Sequence, residues 1–254
     1  MNDRLPVGVN VTNVKRETPS VSTITFDRSF SFIPGQFVMV WVPGVDEVPM
    51  ALSSADTITV QNVGEATAAL TSVSPGDVLG IRGPFGNGFP LRPGMLAISG
   101  GLGAAPLLSL AEAGYVDTFI LGARTAGDLL FLDRLAQCAE VRIVTDDGSA
   151  GTKGFAVQGL EGLDLSGYPR IAVCGPELMM ASILGRLSAA GRAGDGWFSL
   201  HRYMKCGCGV CGSCCIDPTG ARVCREGPVF SGTELEGTEF GRYHRDGSGR
   251  KRLL

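Results

Sequence analysis

Short runs of alternating apolar and polar residues fill the first third of the chain. VGVNVTNV, SVSTITF, QFVMVWV, ALSSA, TITVQNV and DVLGIRG are rich in β-branched residues, and each reads as a strand. Pro34-Gly35, Pro43-Gly44 and Pro75-Gly76 separate them as turns. The pattern predicts a six-stranded antiparallel β barrel over residues 1–92. After Pro93-Gly94 the period changes. Solid apolar runs (MLAIS, TFILGA, VRIVT, RIAVC) alternate with helical ones (APLLSLAEAG, DLLFLDRLAQCA, ELMMASILGRLSAAG), the order of an α/β domain with a parallel sheet over residues 93–200. Met179, Met180, Ile183, Leu184 and Leu187 keep the three-four spacing of a buried helix stripe, so the methionines are assigned to the core. WFSL adds a strand and leads through His201 into a third, small domain, residues 201–254, too short to bury a core without a bound group.

Composition narrows the function. The 254 residues are 44% hydrophobic, enough for two ordinary cores, and the net charge of −3 gives no basic field for nucleic acid or an anionic membrane. MNDRLPVGVNVTNV has no apolar leader core, and no run of about 18 apolar residues occurs, so a cytoplasmic protein is expected. Thiols stay reduced there. The tail Arg242, His244, Arg245, Arg250, Lys251, Arg252 reads as a solvated end or as a face for an acidic partner.

Six of the eight cysteines lie between Cys206 and Cys224, and four read Cys206-x4-Cys211-x2-Cys214-x9-Cys224, the plant-type spacing for a 2Fe-2S cluster. Each iron takes two thiolates, so the chain must wrap tightly around them. Gly207, Gly209 and Gly212 stand between the first three sulfurs, where left-handed backbone angles turn N–H groups toward the cluster. A structural zinc site and a disulfide knot are the other uses of such a run. Cys208 offers an alternative first ligand, and Cys215, beside Cys214, is expected to point away.

Ser99-Gly100-Gly101-Leu102-Gly103-Ala104-Ala105-Pro106 follows the first strand of the parallel sheet and opens a helix, the place for a pyrophosphate-binding turn. Thr145-Asp146-Asp147-Gly148-Ser149 and Cys174-Gly175-Pro176 follow later strands, so all three loops fall at carboxyl ends, where ligands bind. Arg124 ends the second strand there and is a candidate for a phosphate or ribose oxygen. Cys174 is either a small buried hydrophobe or a neighbour of nicotinamide. In the barrel half, Arg82-Gly83-Pro84-Phe85-Gly86-Asn87-Gly88-Phe89 fits a flat ring or a plain connection between domains. In Gly64-Glu65-Ala66-Thr67, Thr67 is expected to cap a short helix able to hold a pyrophosphate.

GQFVMVWVPG, IRGPFGNGF, GGLGAAPLL, TDDGS, CGPELM, KCGCGVCGSC and VCREGPVF together resemble the ferredoxin-reductase-like flavoproteins, and within them the electron-transfer subunits of type B dihydroorotate dehydrogenase. The resemblance implies FAD in the barrel, NAD in the α/β domain, and a 2Fe-2S cluster on Cys206, Cys211, Cys214 and Cys224. It also implies an FMN-containing dihydroorotate dehydrogenase catalytic subunit as partner, two of each in a heterotetramer. Electrons would run from that FMN through the cluster and FAD to NAD. The flavin contacts it implies fall on Val48, Pro49, Met50, Ala51, Gly64, Ala66, Thr67, Gly83, Pro84 and Gly86. Those to NAD fall on Gly100, Gly101, Gly103, Arg124, Cys174, Gly175 and Pro176. The chain departs from the family at Val48-Pro49-Met50-Ala51, where an Arg-Pro-x-Ser motif would stand, and Ser53 or Ser54 is the candidate replacement hydroxyl. No acid-base residue is nominated, and His201 and His244 read as ordinary side chains. Subunits serving a hydrogenase or a ferredoxin:NADP reductase share the barrel and crevice; Gly227-Pro228-Val229-Phe230 favours the pyrimidine family. A zinc-stabilised adaptor is the reading from another class.

Overall fold

The computed structural model describes residues 5–254. β1 (Val7–Thr18), β2 (Val21–Phe26), β3 (Phe37–Val42), β4 (Asp46–Ser54), β5 (Thr57–Gln61) and β6 (Val78–Phe85) close an antiparallel barrel in the order β1-β2-β5-β4-β3-β6. Ile24, Val38, Val40, Leu52, Ile58 and Ile81 fill it. Strand β3 is apolar on both faces because Phe37 and Met39 point outward into a second core, shared with the rest of the chain. Helix α1 (Glu65–Thr71) lies between β5 and β6.

The second sheet holds β7 (Met95–Gly100), β8 (Val116–Ala123), β9 (Glu140–Thr145), β10 (Thr152–Lys153), β11 (Ile171–Cys174) and β12 (Gly196–Ser199), all parallel, in the order β10-β9-β8-β7-β11-β12. Helix α2 (Ala104–Glu112) follows β7 and α4 (Glu177–Ala189) follows β11. Met180, Ile183, Leu184 and Leu187 are buried as the spacing predicts. The helix predicted through DLLFLDRLAQCA shrinks to one turn, α3 (Leu132–Leu135). Phe131 takes a left-handed φ of 59°, which ends helical propagation on its N-terminal side, and its ring is buried in the core with Leu130 and Leu135.

Beyond β12 the chain makes a two-residue hairpin, β13 (Cys215–Ile216) with β14 (Ala221–Arg222). Then β15 (Val229–Ser231), the Val-Phe of the Gly-Pro-Val-Phe run plus Ser231, pairs antiparallel with β12 as the seventh strand of the nucleotide sheet. The single-turn helix α5 (Gly232–Leu235) starts from Ser231, whose backbone N–H and hydroxyl donate to Glu234. The cysteine segment is thereby sewn to the sheet beside it. The basic tail forms a hairpin, β16 (Tyr243–Arg245) with β17 (Lys251–Leu253), and remains largely solvent-exposed. Arg245 and Lys251 pair with Asp217 (2.7 and 3.6 Å) and Arg252 with Asp246 (2.9 Å), so much of its charge is neutralised within the chain.

A buried ion network ties these parts together. The Arg202 side chain (2% exposed) donates from Nε to Glu239 (3.0 Å) and from Nη1 and Nη2 to Glu177 (2.5 and 3.0 Å). Glu239 also accepts from the Asp217 N–H and Glu177 from the Gly241 N–H. One guanidinium therefore joins the start of α4, the linker after β12 and the C-terminal segment. Among the described residues no helix is long and apolar enough to cross a membrane.

Candidate functional site

The cysteine loop is built as two pairs. The β13–β14 hairpin folds Cys224 back on Cys214, so the Val223 N–H donates to the Cys214 carbonyl (3.2 Å) and the Cys224 N–H to the Cys214 sulfur (3.4 Å). Cys206 and Cys211 form the other pair, with the N–H groups of Val210 (3.3 Å) and Cys211 (3.5 Å) aimed at the Cys206 sulfur. The Gly209 N–H donates to the Cys224 sulfur (3.2 Å) and links the pairs. Gly207, Gly209 and Gly212 have φ of 67°, 80° and 73°, the left-handed turns expected of a wrapping loop. Cys214 and Cys224 are buried, Cys206 is half-buried and Cys211 is exposed.

Electrostatics follow the same division. Burial opposes ionisation of Cys206, yet the N–H groups of Cys211, Cys208 and Val210 outweigh it and bring the thiol down to about 6. Cys211 is lowered by the Ser213 hydroxyl, while burial and the adjacent Cys214 push Cys224 up to about 12. Cys215 lies across from Arg222 in the hairpin. Arg222 clamps the loop by donating to Glu226 and to the Gly209 carbonyl (2.8 Å), and it holds the Glu226 carboxyl down at about 2. All eight cysteines are free of disulfides. Four sulfurs in two pairs, with backbone donors on three of them, fit a two-iron group that takes two thiolates per metal.

The loop lies on the barrel. A Cβ on Gly207 would stand 2.6 Å from Met39 Cγ, on the outward face of β3. Pro49 is opposite Met39 and Ala51 opposite Phe37 on β4, so these two lie on the outward face of the barrel, while Val48 and Met50 pack into the barrel core. Of the four residues replacing Arg-Pro-x-Ser, half are core. Ser53 and Ser54 do not supply the missing hydroxyl: Ser53 is buried and bonded to Thr57 and Thr59, and Ser54 to Asp56 and Thr57. Thr67 is not the cap of α1, which starts from Gly64; its hydroxyl accepts from the N–H groups of Val63 and Gly64 (both 2.9 Å) from the third helical position. Ala66 sits in that first turn. Gly83 lies against Phe85 and the Phe37 carbonyl, and Pro84 follows it; the Phe85 ring is 5.9 Å from that of Phe37. Gly86 has a packing role: a side chain there would collide with the Gly227 carbonyl, and Asn87 N–H donates to that carbonyl (2.5 Å).

The loops after β7 and β11 meet at the carboxyl edge of the sheet, and the loop after β9 bonds to the segment that follows β8. Gly100 is pressed against Pro176 and Met179, Gly175 against Gly100, and a Cβ on Gly103 would collide with the Cys174 carbonyl. Gly101 turns with φ 52° before α2. Arg124 is exposed there, and its carbonyl accepts from the Asp147 N–H (3.2 Å). Cys174 is fully buried among apolar neighbours, and burial pushes its thiol up to about 12. His201 stands at the edge, Nε2 3.9 Å from the Cys174 sulfur, its pKa lowered by desolvation and by Arg202. Replacing Gly103 by alanine is expected to weaken NAD binding about 5- to 150-fold, the equivalent of about 1–3 kcal/mol of overpacking at the turn. Calorimetric titration with NAD checks this, and the visible spectrum of the variant should be unchanged.

Sequence reading missed Arg82, Glu47 and the Arg202 network. Arg82 alone had a signal, as the charged residue opening Arg82-Gly83-Pro84-Phe85.

A six-stranded barrel, a parallel nucleotide sheet and a terminal four-cysteine segment define an oxidoreductase of the ferredoxin-reductase type with an added iron–sulfur domain. Residues 201–236 match the family described as the iron-sulfur cluster binding domain of dihydroorotate dehydrogenase B. A probable dihydroorotate dehydrogenase B (NAD(+)) electron transfer subunit of Methanocella arvoryzae is 48% identical over 98% of this chain and 99% of its own length. The protein of the same description in Methanocaldococcus jannaschii is 44% identical over 97% of this chain and 98% of its own. A solved NADH-dependent reduced ferredoxin-NADP oxidoreductase, 27% identical, superposes with a TM-score of 0.78 over 89% of this chain and 88% of that one. The chain belongs to the family of electron transfer subunits of dihydroorotate dehydrogenase B.

Proposed function

We propose that the chain carries electrons from dihydroorotate, oxidised on an FMN-containing catalytic subunit, through a 2Fe-2S cluster and FAD to NAD in pyrimidine biosynthesis. The assembly is a cytoplasmic heterotetramer of two subunits of each kind. The observation that carries this reading is the paired cysteine loop seated on the outward face of β3, against the core that the barrel shares with the parallel sheet. Cys206 and Cys211 would hold one iron and Cys214 and Cys224 the other, with the loop N–H groups donating to the sulfurs. A bound flavin supplies the exchange between one-electron and two-electron transfer.

The remaining steps fall to the chain's own groups. Pro49, Ala51, Gly83 and Pro84 give the flavin an apolar wall, and the backbone around Gly64, Ala66 and Thr67 receives its pyrophosphate without the family's arginine. Gly100, Gly101 and Gly103 would let NAD approach the turn before α2, whose positive end favours its phosphates. Gly175 and Pro176 border the nicotinamide. Domain limits near residues 92 and 200 separate the two cofactor units, with β15 crossing back from the third.

Anaerobic purification tests the cofactor set. The protein should show flavin and 2Fe-2S absorbance, with iron and acid-labile sulfide in equal amounts. A colourless protein carrying zinc contradicts the proposal.

A further inference from the structure

Arg82 and Glu47 form an ion pair between the barrel and the cysteine loop, outside every contact assigned above. Arg82 Nε and Nη2 each meet one Glu47 carboxylate oxygen at 2.5 Å, a two-point clasp. Both side chains are largely shielded, 11% and 23% exposed. The guanidinium lies over the Phe85 ring at 5.5 Å, and its Nη2 would be 3.8 Å from a Cβ on Gly207, the residue after Cys206. Besides Glu47, the charges that reach Arg82 are those of Cys208 and Cys206. The guanidinium thus stands between a carboxylate on its barrel side and the cysteine loop on the other.

We propose that this pair sets the reduction potential of the cluster, Arg82 raising it and Glu47 partly offsetting that effect. Reduction adds one negative charge to the metal group, and the adjacent cation in a poorly hydrated setting favours that state. The carboxylate behind it opposes the same change from farther away. Arg82 acts through the field at the cluster and is a positioning residue, not a ligand. The role suits a group that must accept electrons from one flavin and deliver them to another.

The inference rests on the cluster assignment, and its test separates the two. EPR-monitored redox titration of the cluster-loaded protein reads the midpoint potential directly. Arg82→Gln should shift it downward, Glu47→Gln should shift it upward, and Arg82→Lys should stay nearer the wild type than Arg82→Gln. A pair that only braced the loop would move both glutamine variants the same way, and that result, or no shift in either, overturns the proposal. If Arg82→Gln fails to retain its cluster, Glu47→Gln alone decides, since an unchanged or lowered potential refutes the offset. Absence of any 2Fe-2S signal in the wild-type protein would instead overturn the cluster assignment itself.

Discussion

Serine in place of Cys206, Cys211, Cys214 or Cys224 is expected to abolish the cluster's EPR signal and visible absorbance, whereas Cys208→Ser and Cys215→Ser leave both in place. The distinction follows from the backbone hydrogen bonds that gather the sulfurs. Cys214 and Cys224 are held together by the hairpin, and Cys206 receives backbone N–H bonds that favour its thiolate. Cys208 contributes its N–H to the Cys206 sulfur, and Cys215 sits within the hairpin strand beside Arg222. A serine hydroxyl is a far poorer ligand for iron than a thiolate. The loss should also unfold the loop, because a segment of this size has little core of its own. Iron content per chain measures the outcome, and loss of iron from Cys208→Ser with retention in Cys206→Ser would move the ligand set by two residues.

The second large effect concerns the ion network under the C-terminal segment. Arg202→Ala strands Glu239, whose side chain is fully buried, and costs about 3–5 kcal/mol. That is a large share of the roughly 5–15 kcal/mol by which a domain is stable. Arg252→Ala breaks an exposed pair with Asp246 and should cost about 1 kcal/mol or less. Apparent melting temperatures of the cluster-loaded variants compare the two. Equal losses would mean that Arg202 is solvated in solution and does not join α4 to the tail.

The sequence showed the parts that repeat a pattern. The barrel strands are short β-branched runs set off by Pro-Gly turns, and the parallel strands are mostly apolar runs alternating with helical ones, so both sheets were legible. The cysteine loop was legible because its spacing and glycines are tied to one geometry. What stayed hidden depends on long-range neighbours. Nothing local says that Val229–Ser231 pairs with β12, that Gly86 is shaped by Gly227, or that Cys174 turns its sulfur into the core. Phe131 ended a predicted helix through a backbone angle that propensity does not encode. The partners of Arg82 and Arg202 are glutamates distant in sequence, which no local pattern announces. The basic tail likewise found Asp217 and Asp246, one of them well outside its own segment.

Electron flow through this chain is tested most directly by mixing it anaerobically with the proposed FMN-containing catalytic subunit and following NADH formation on addition of dihydroorotate. The pair should produce NADH, while the partner alone or a pair carrying Cys206→Ser should not. NADH formation driven by hydrogen or reduced ferredoxin but not by dihydroorotate would contradict the account.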